Sequence, residues 1–194
     1  MDTNFLPPIR TDADIRVLTL APNQNNSSGH SDVIACEFEN ISIGGSVLYT
    51  AVSYVWGDDS CLRSIAINGV VVQVRNNLWQ FLHQMRQDSH TGYLWIDALC
   101  IDQKNLEERS SQVAIMGKIY SGAANVFVWL GAATEASEEE RLLGTVSLCF
   151  LEPNGVLAVK RNRRIHQHSK NLLARLSKHV YWTRVWVTQE FILA

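Results

Sequence analysis

The 194-residue sequence predicts an α/β domain, a three-layer wind around a mainly parallel central sheet with an inserted β-hairpin and a helical C-terminal part. Three observations lead there. Residues Tyr49–Trp56, Tyr93–Leu99 and Asn125–Leu130 place apolar side chains on both faces, as strands covered on both sides do. Helical periodicity fills the interval between the second and third of them and the end of the interval between the first and second. Strand, helix, strand, helix, strand is the sequence of a right-handed α/β wind.

Residues 1–48 read as a lead-in to a core spanning 49–194, within one domain. In the lead-in, DIRVLTL is expected as a short edge strand, APNQNNSSGHSD has loop composition, and VIACEFENI alternates as a strand does. The first core strand stops at Gly57-Asp58-Asp59. In SIAINGVVVQV, Asn68-Gly69 between two β-rich runs marks a two-residue hairpin. Asn76 and Asn77 are expected to cap a helix whose apolar stripe is Leu78, Phe81, Leu82 and Met85. After the second strand, Asn105 caps a helix with Glu107 and Glu108 in its first turn, where the helix dipole favours carboxylates. That helix turns Val113, Met116, Ile119 and Tyr120 inward and ends near Gly122. Beyond the third strand the expected helices are Ala136–Leu151, Asn171–Val180 and Thr183–Leu193, the first two separated by the basic, solvated stretch KRNRRIHQHSK. The apolar run that ends at Ala194 has no stop signal, so the chain is expected to continue in a longer protein.

Bulk properties narrow the partners. Apolar residues make up 46% and charged residues 19%, a globular composition, and the net charge of −2 points neither to nucleic acid nor to an anionic membrane. No apolar run is long enough to span a bilayer, and the N-terminus has no secretory pattern. The four cysteines are scattered with no C-x-x-C pair, which implies no metal site and no disulfide framework and suits the cytoplasm. No P-loop, G-x-G-x-x-G or G-x-S-x-G occurs.

Asp97, in LWIDALC, is expected at the carboxyl end of an apolar strand, where open α/β sheets collect ligands. A carboxylate there either binds something or is structural, capping a neighbouring helix or pairing with Arg109 or Arg184. Glu190 shares one helical row with Trp182 and Trp186, so it has a partner elsewhere, solvent access or a chemical job. Ser53, Tyr54, Trp56, Gly57 and Asp58 end the first core strand. Aromatics beside a glycine there can stack on a planar ring, although buried-strand aromatics are commonly plain core.

The blocks YTAVSYVWG, LWIDALCIDQKNLEERSSQVAIMGKIYSGAANVFVWLG and YWTRVWVTQE resemble the heterokaryon-incompatibility (HET) domain of fungal self/non-self recognition proteins. With DIRVLTL and the INGV hairpin, the likeness runs from about residue 15 to the C-terminus. Departures are Val52 where the family often has Leu, Asp102 where Asn is usual and Thr188 where Val is common. The resemblance implies an effector domain of a longer protein, or of a partner receptor's assembly, that triggers programmed cell death in the cytoplasm and forms a homo-oligomer on activation.

A second, shorter likeness is to Toll/interleukin-receptor (TIR) domains. AVSYVWGDD is similar to their first strand and loop, and Trp186 to Glu190 reproduces their tryptophan-to-glutamate spacing, with Val187 in place of a cysteine. It implies a flavodoxin/TIR-like arrangement and cleavage of NAD⁺ into nicotinamide and ADP-ribose, with NAD⁺ as substrate and no resident cofactor. Glu190 and Asp97 would then be catalytic. Ser53, Tyr54, Trp56, Gly57, Asp58, Cys100, Arg184, Trp186 and Gln189 would bind the substrate. Two other functions stay open, a non-enzymatic self-association module and a sensor that binds a nucleotide without turnover.

Overall fold

The computed structural model describes residues 6–11, 13–22, 33–132, 148–151, 157–159 and 180–184. Its nine strands are β1 (Asp14–Leu20), β2 (Ile34–Ser42), β3 (Tyr49–Tyr54), β4 (Leu62–Ile67), β5 (Val70–Arg75), β6 (Tyr93–Trp95), β7 (Asn125–Trp129), β8 (Leu148–Leu151) and β9 (Leu157–Val159). They form one sheet in the order β5-β4-β2-β1-β6-β3-β7-β8-β9. Four helices are described, α1 (Asn76–Gln87), α2 (Asp97–Cys100), α3 (Leu106–Ala114) and α4 (Met116–Ser121), and Val180–Thr183 form a 3₁₀ turn.

The chain is α/β, but its sheet is mixed rather than mainly parallel. Among the described residues, only β2–β4, β3–β6 and β3–β7 pair in parallel. The pairs β1–β2, β1–β6, β4–β5, β7–β8 and β8–β9 are antiparallel. The parallel character expected of the whole sheet is therefore confined largely to β6-β3-β7, where all six residues of β3 are buried. The strand DIRVLTL is not at an edge: β1 lies between β2 and β6. Its antiparallel partner β2 runs from Asp14↔Ser42 to Leu20↔Cys36, a pairing between segments that local pattern does not specify.

Side-chain alternation explains the layers. Ala51, Trp95 and Val126 are in register and share one face of the sheet, which α4 covers through the edge-to-face contact of Tyr120 with Trp95. Tyr54 and Trp129 are in register on the other face, which α1 covers through Phe81 against Trp129. The expected stripe of Leu78, Phe81, Leu82 and Met85 is the buried face of α1. The hairpin also forms as expected. Asn68 and Gly69 both take positive φ, at 50° and 79°, which a two-residue turn between right-twisted strands requires.

Three local expectations change. Neither Asn76 nor Asn77 caps α1; Arg75 holds the cap position without a side-chain hydrogen bond. Asn77 instead donates to the Val55 carbonyl at 2.5 Å and accepts from Trp129 Nε1 at 2.9 Å, tying the ends of β3 and β7 to the helix. The strand expected over Tyr93–Leu99 ends at Trp95, and Asp97 opens the single helical turn α2. A short apolar run such as LWIDALC fits strand or helix equally, so periodicity does not separate them. The helix expected over Ala136–Leu151 gives way to strand at β8, whose backbone pairs along the side of β7 that β3 leaves open. The helix that starts at Asn105 is capped as expected, Asn105 accepting from the amides of Glu107 and Glu108, but it breaks at Ile115 into α3 and α4.

Candidate functional site

The parallel strands β6 and β3 deliver Asp97 and Trp56 to the same end of the sheet. Trp56 Nε1 donates to Asp97 Oδ2 at 2.9 Å, while Asp97 Oδ1 accepts from the Ala98 amide at 2.7 Å. The side chain is thus fixed in the first turn of α2, and the Asp97 carbonyl accepts from Gln103 Nε2 at 2.9 Å. This places Asp97 just past the strand it was expected to end.

Asp97 and Trp56 border a cleft of about 510 Å³ that is also lined by Gln103, Arg109, Thr183 and Arg184. Two arginines, one carboxylate and an indole therefore line one cleft near the carboxyl ends of parallel strands. That volume lies within the range of ordinary small-molecule sites. Among the described residues no cluster of His, Cys, Asp or Glu is placed to hold a metal ion.

Behind this wall, Ser53 is buried and shares a hydrogen bond of 2.5 Å with the Tyr181 hydroxyl. Arg184 Nη1 lies 3.4 Å from Ser53 Oγ, and its guanidinium sits 5.7 Å from the centre of the Tyr181 ring. Tyr181 is fully buried, so it anchors the 3₁₀ turn that brings Arg184 to the cleft. Tyr54 is buried as well, and burial pushes its hydroxyl well above the usual tyrosine range, with the Asp97 carboxylate adding to the effect. Ser53 thus supports the wall from the core, whereas Tyr54 packs on the opposite face of β3 and does not border the cleft.

Gly57 and Asp58 shape the loop after Trp56. Gly57 has φ of +76°, and its carbonyl accepts from Arg75 Nη1 at 2.7 Å. Arg75 in turn lies over the Trp56 ring, 5.5 Å from its centre. Asp58 is at the surface, its carboxylate bound to the amide and hydroxyl of Ser60, and the Ser60 hydroxyl holds its pKa below the usual value. Asp58 therefore builds a turn and does not border the cleft. Cys100 departs further from the expected substrate contact. It is fully buried, accepts from the Ile96 amide at 3.3 Å, and burial pushes its thiol up to about 12. Glu190, Trp186 and Gln189 lie outside the described residues, as does the basic stretch KRNRRIHQHSK.

One buried constellation lies outside the expected site residues. Arg16 of β1, 2% exposed, forms a two-pronged ion pair with Glu108, at 2.5 Å from Nη1 to Oε1 and 2.8 Å from Nη2 to Oε2. Arg16 Nη1 also donates to the Cys100 carbonyl at 3.0 Å, and Glu108 Oε1 accepts from the Asp102 amide at 2.6 Å. The pair pins the loop that carries Gln103 into the cleft. Its sequence signal was a single cation in an apolar strand, which needs a buried partner.

A model of the family described as "Heterokaryon incompatibility protein (HET)" matches residues 49–190, most of the chain. The chain belongs to the heterokaryon incompatibility family. Among curated proteins, "Heterokaryon incompatibility protein 6, OR allele" of Neurospora crassa is 28% identical over 222 residues, an alignment that covers 92% of this chain. The chain spans about a third (32%) of the length of that relative. No solved structure matches it. The matched region of this HET domain begins at the first residue of β3 and takes in Trp56, Asp97, Arg109 and Arg184, the residues that surround the cleft.

Proposed function

We propose that this HET domain is an effector of fungal self/non-self incompatibility that triggers cell death by hydrolysing NAD⁺. The observation that carries the reading is the cleft itself, with the fixed carboxylate of Asp97 beside an indole and two guanidinium groups at the carboxyl ends of parallel strands. Its parts match the parts of the dinucleotide. Arg109 and Arg184 offset the charge of a diphosphate, the indole offers a face to a ring, and the carboxylate serves ribose hydroxyls. The name of the Neurospora relative supports the incompatibility role.

In the reaction, the bond between the nicotinamide nitrogen and ribose C1′ breaks and its electron pair leaves with nicotinamide. Water adds at C1′ and releases one proton, giving ADP-ribose. Positive charge develops on the ribose ring in the transition state, as in glycoside hydrolysis, and a pre-positioned carboxylate stabilises it. Asp97 takes that position, and the Trp186-to-Glu190 spacing assigns Glu190 as a second carboxylate.

A second reading, a non-enzymatic self-association module, is favoured by the Asp97 hydrogen bonds: both carboxylate oxygens have internal donors, as in a purely structural residue. Nicotinamide release from NAD⁺ separates the two, measured on the purified chain at high concentration with a crowding agent. Release by the wild type, and none by Asp97→Asn and Glu190→Ala of matched folding, is the expected result. No release from a wild type shown to be assembled removes the enzyme and leaves the module.

A further inference from the structure

Trp56 borders a second cavity besides the cleft. It measures about 260 Å³ and shares Trp56, Ile101 and Gln103 with the cleft. Its remaining apolar walls include Val72 and Val74 of β5 and Leu78 of α1, elements the cleft does not touch, and Leu99 of α2. Arg75, Lys104 and Asp102 also border it. We propose that this cavity is a nucleobase pocket, which holds the uncharged purine ring of a nucleotide whose phosphates face the guanidinium groups of the adjoining cleft. The proposal rests on the nucleotide reading of that cleft and names the part of the ligand that selects it.

Size and a mostly apolar lining point to a purine. Small-molecule sites that enclose a whole ligand measure roughly 300–1,000 Å³, so this cavity suits one ring system rather than a dinucleotide. Its walls are mostly apolar, with Gln73, Arg75, Asp102, Gln103 and Lys104 as the polar members, and Trp56 is braced by the Arg75 guanidinium over its ring. An indole held in that way is a ready stacking surface for a flat base.

The lining also distinguishes the two rings of a dinucleotide. Asp102 Oδ1 accepts from the amides of Lys104 and Asn105 at 3.0 and 3.3 Å and holds the turn at the border of the cavity, where charges of both signs meet. Most of the lining is apolar, so a cationic pyridinium would lose hydration there that a neutral base does not need.

Calorimetric titration with AMP and with ribose 5-phosphate tests the pocket without any scissile nicotinamide bond. The wild type is expected to bind AMP about tenfold more tightly than ribose 5-phosphate, the size of one base-stacking contribution. Val72→Phe, which fills the cavity, is expected to remove that difference and leave ribose 5-phosphate binding unchanged. Leu62→Glu gives a second test at a position 50% exposed, where folding is not at stake, and is expected to weaken AMP in the same way. Equal binding of the two probes by the wild type overturns the pocket, and so does wild-type AMP affinity in folded Val72→Phe and Leu62→Glu. Nicotinamide release is read separately: its absence beside base-dependent AMP binding sinks the hydrolysis and keeps the pocket. Release by a wild type that does not discriminate the probes sinks the pocket alone.

Discussion

The Trp56 indole donates a 2.9 Å hydrogen bond to the Asp97 carboxylate, joining the end of β3 to the first turn of α2 across 41 residues of sequence. The bond orients both groups toward the cleft and shows why they belong to one unit. Trp56→Phe keeps most of the ring and removes the donor. Hydrogen bonds to charged groups contribute about 1.5–3 kcal/mol, and partial exposure of both residues places this one at the lower end. The expected loss is therefore about 1.5 kcal/mol, read as a lower urea midpoint at unchanged slope. An unchanged midpoint would show that solvent replaces the indole at no cost.

The Arg16–Glu108 pair makes a stronger prediction, because Arg16 is almost fully enclosed. Removing one member of such a pair leaves a charge in the interior, at a cost of about 3–5 kcal/mol. Glu108→Ala is expected to destabilise the chain by that order. Replacing both with apolar residues, as in Arg16→Met with Glu108→Leu, removes the stranded charge and should cost less than the single change. If the double variant is as unstable as the single one, the pair's hydrogen bonds to the Cys100 carbonyl and the Asp102 amide dominate its role.

These two relationships mark the boundary of what the sequence made legible. The Asn68-Gly69 turn, the α1 stripe and the Asn105 cap rest on neighbours within a few residues, and each forms as the local chemistry dictates. The buried character of β3 was equally plain from its composition. The interior position of β1 was not, because it depends on partners such as Leu94, far along the chain. Glu108 looked like a helix-dipole residue and is in fact the counter-ion of Arg16. Asn77 looked like a cap and is a clamp between strands. For the site, Asp97, Trp56 and Arg184 were anticipated and converge, whereas Asp58 and Cys100 hold structure instead.

His90 gives the chain an acid-sensitive contact. Burial lowers its pKa from 6.5, opposed by the Gly92 backbone and the Asp88 charge, and its Nε2 is buried without a hydrogen-bond partner. The ring packs edge-on to Phe127. A folded-state pKa below the unfolded value means that the unfolded chain binds the proton first as pH falls. The stability that His90 contributes is thus complete above 6.5 and is lost below it. His90→Leu should flatten the stability profile just below that pH. Asp14 and Asp58, also lowered, act in a separate window below 3.8 and should be unaffected. Parallel denaturation curves of wild type and variant from pH 7.5 downward measure it, and identical slopes would place His90 outside the acid response.

Gly57 tests whether the turn after Trp56 requires its backbone geometry. Its φ of +76° is left-handed, and a Cβ there would meet only Asn77 Cβ at 3.4 Å, an ordinary contact. Any penalty for Gly57→Ala is therefore conformational rather than steric crowding, and the left-handed region costs a non-glycine residue about 1–2 kcal/mol. Asparagine tolerates that region better, so Gly57→Asn should lose less than Gly57→Ala although its side chain is larger. The Arg75 hydrogen bond to the Gly57 carbonyl links the turn to the brace over Trp56, so the alanine variant should also loosen the indole. Chemical denaturation ranks the two variants, and an asparagine variant less stable than the alanine one would show that the loop is limited by space rather than by φ.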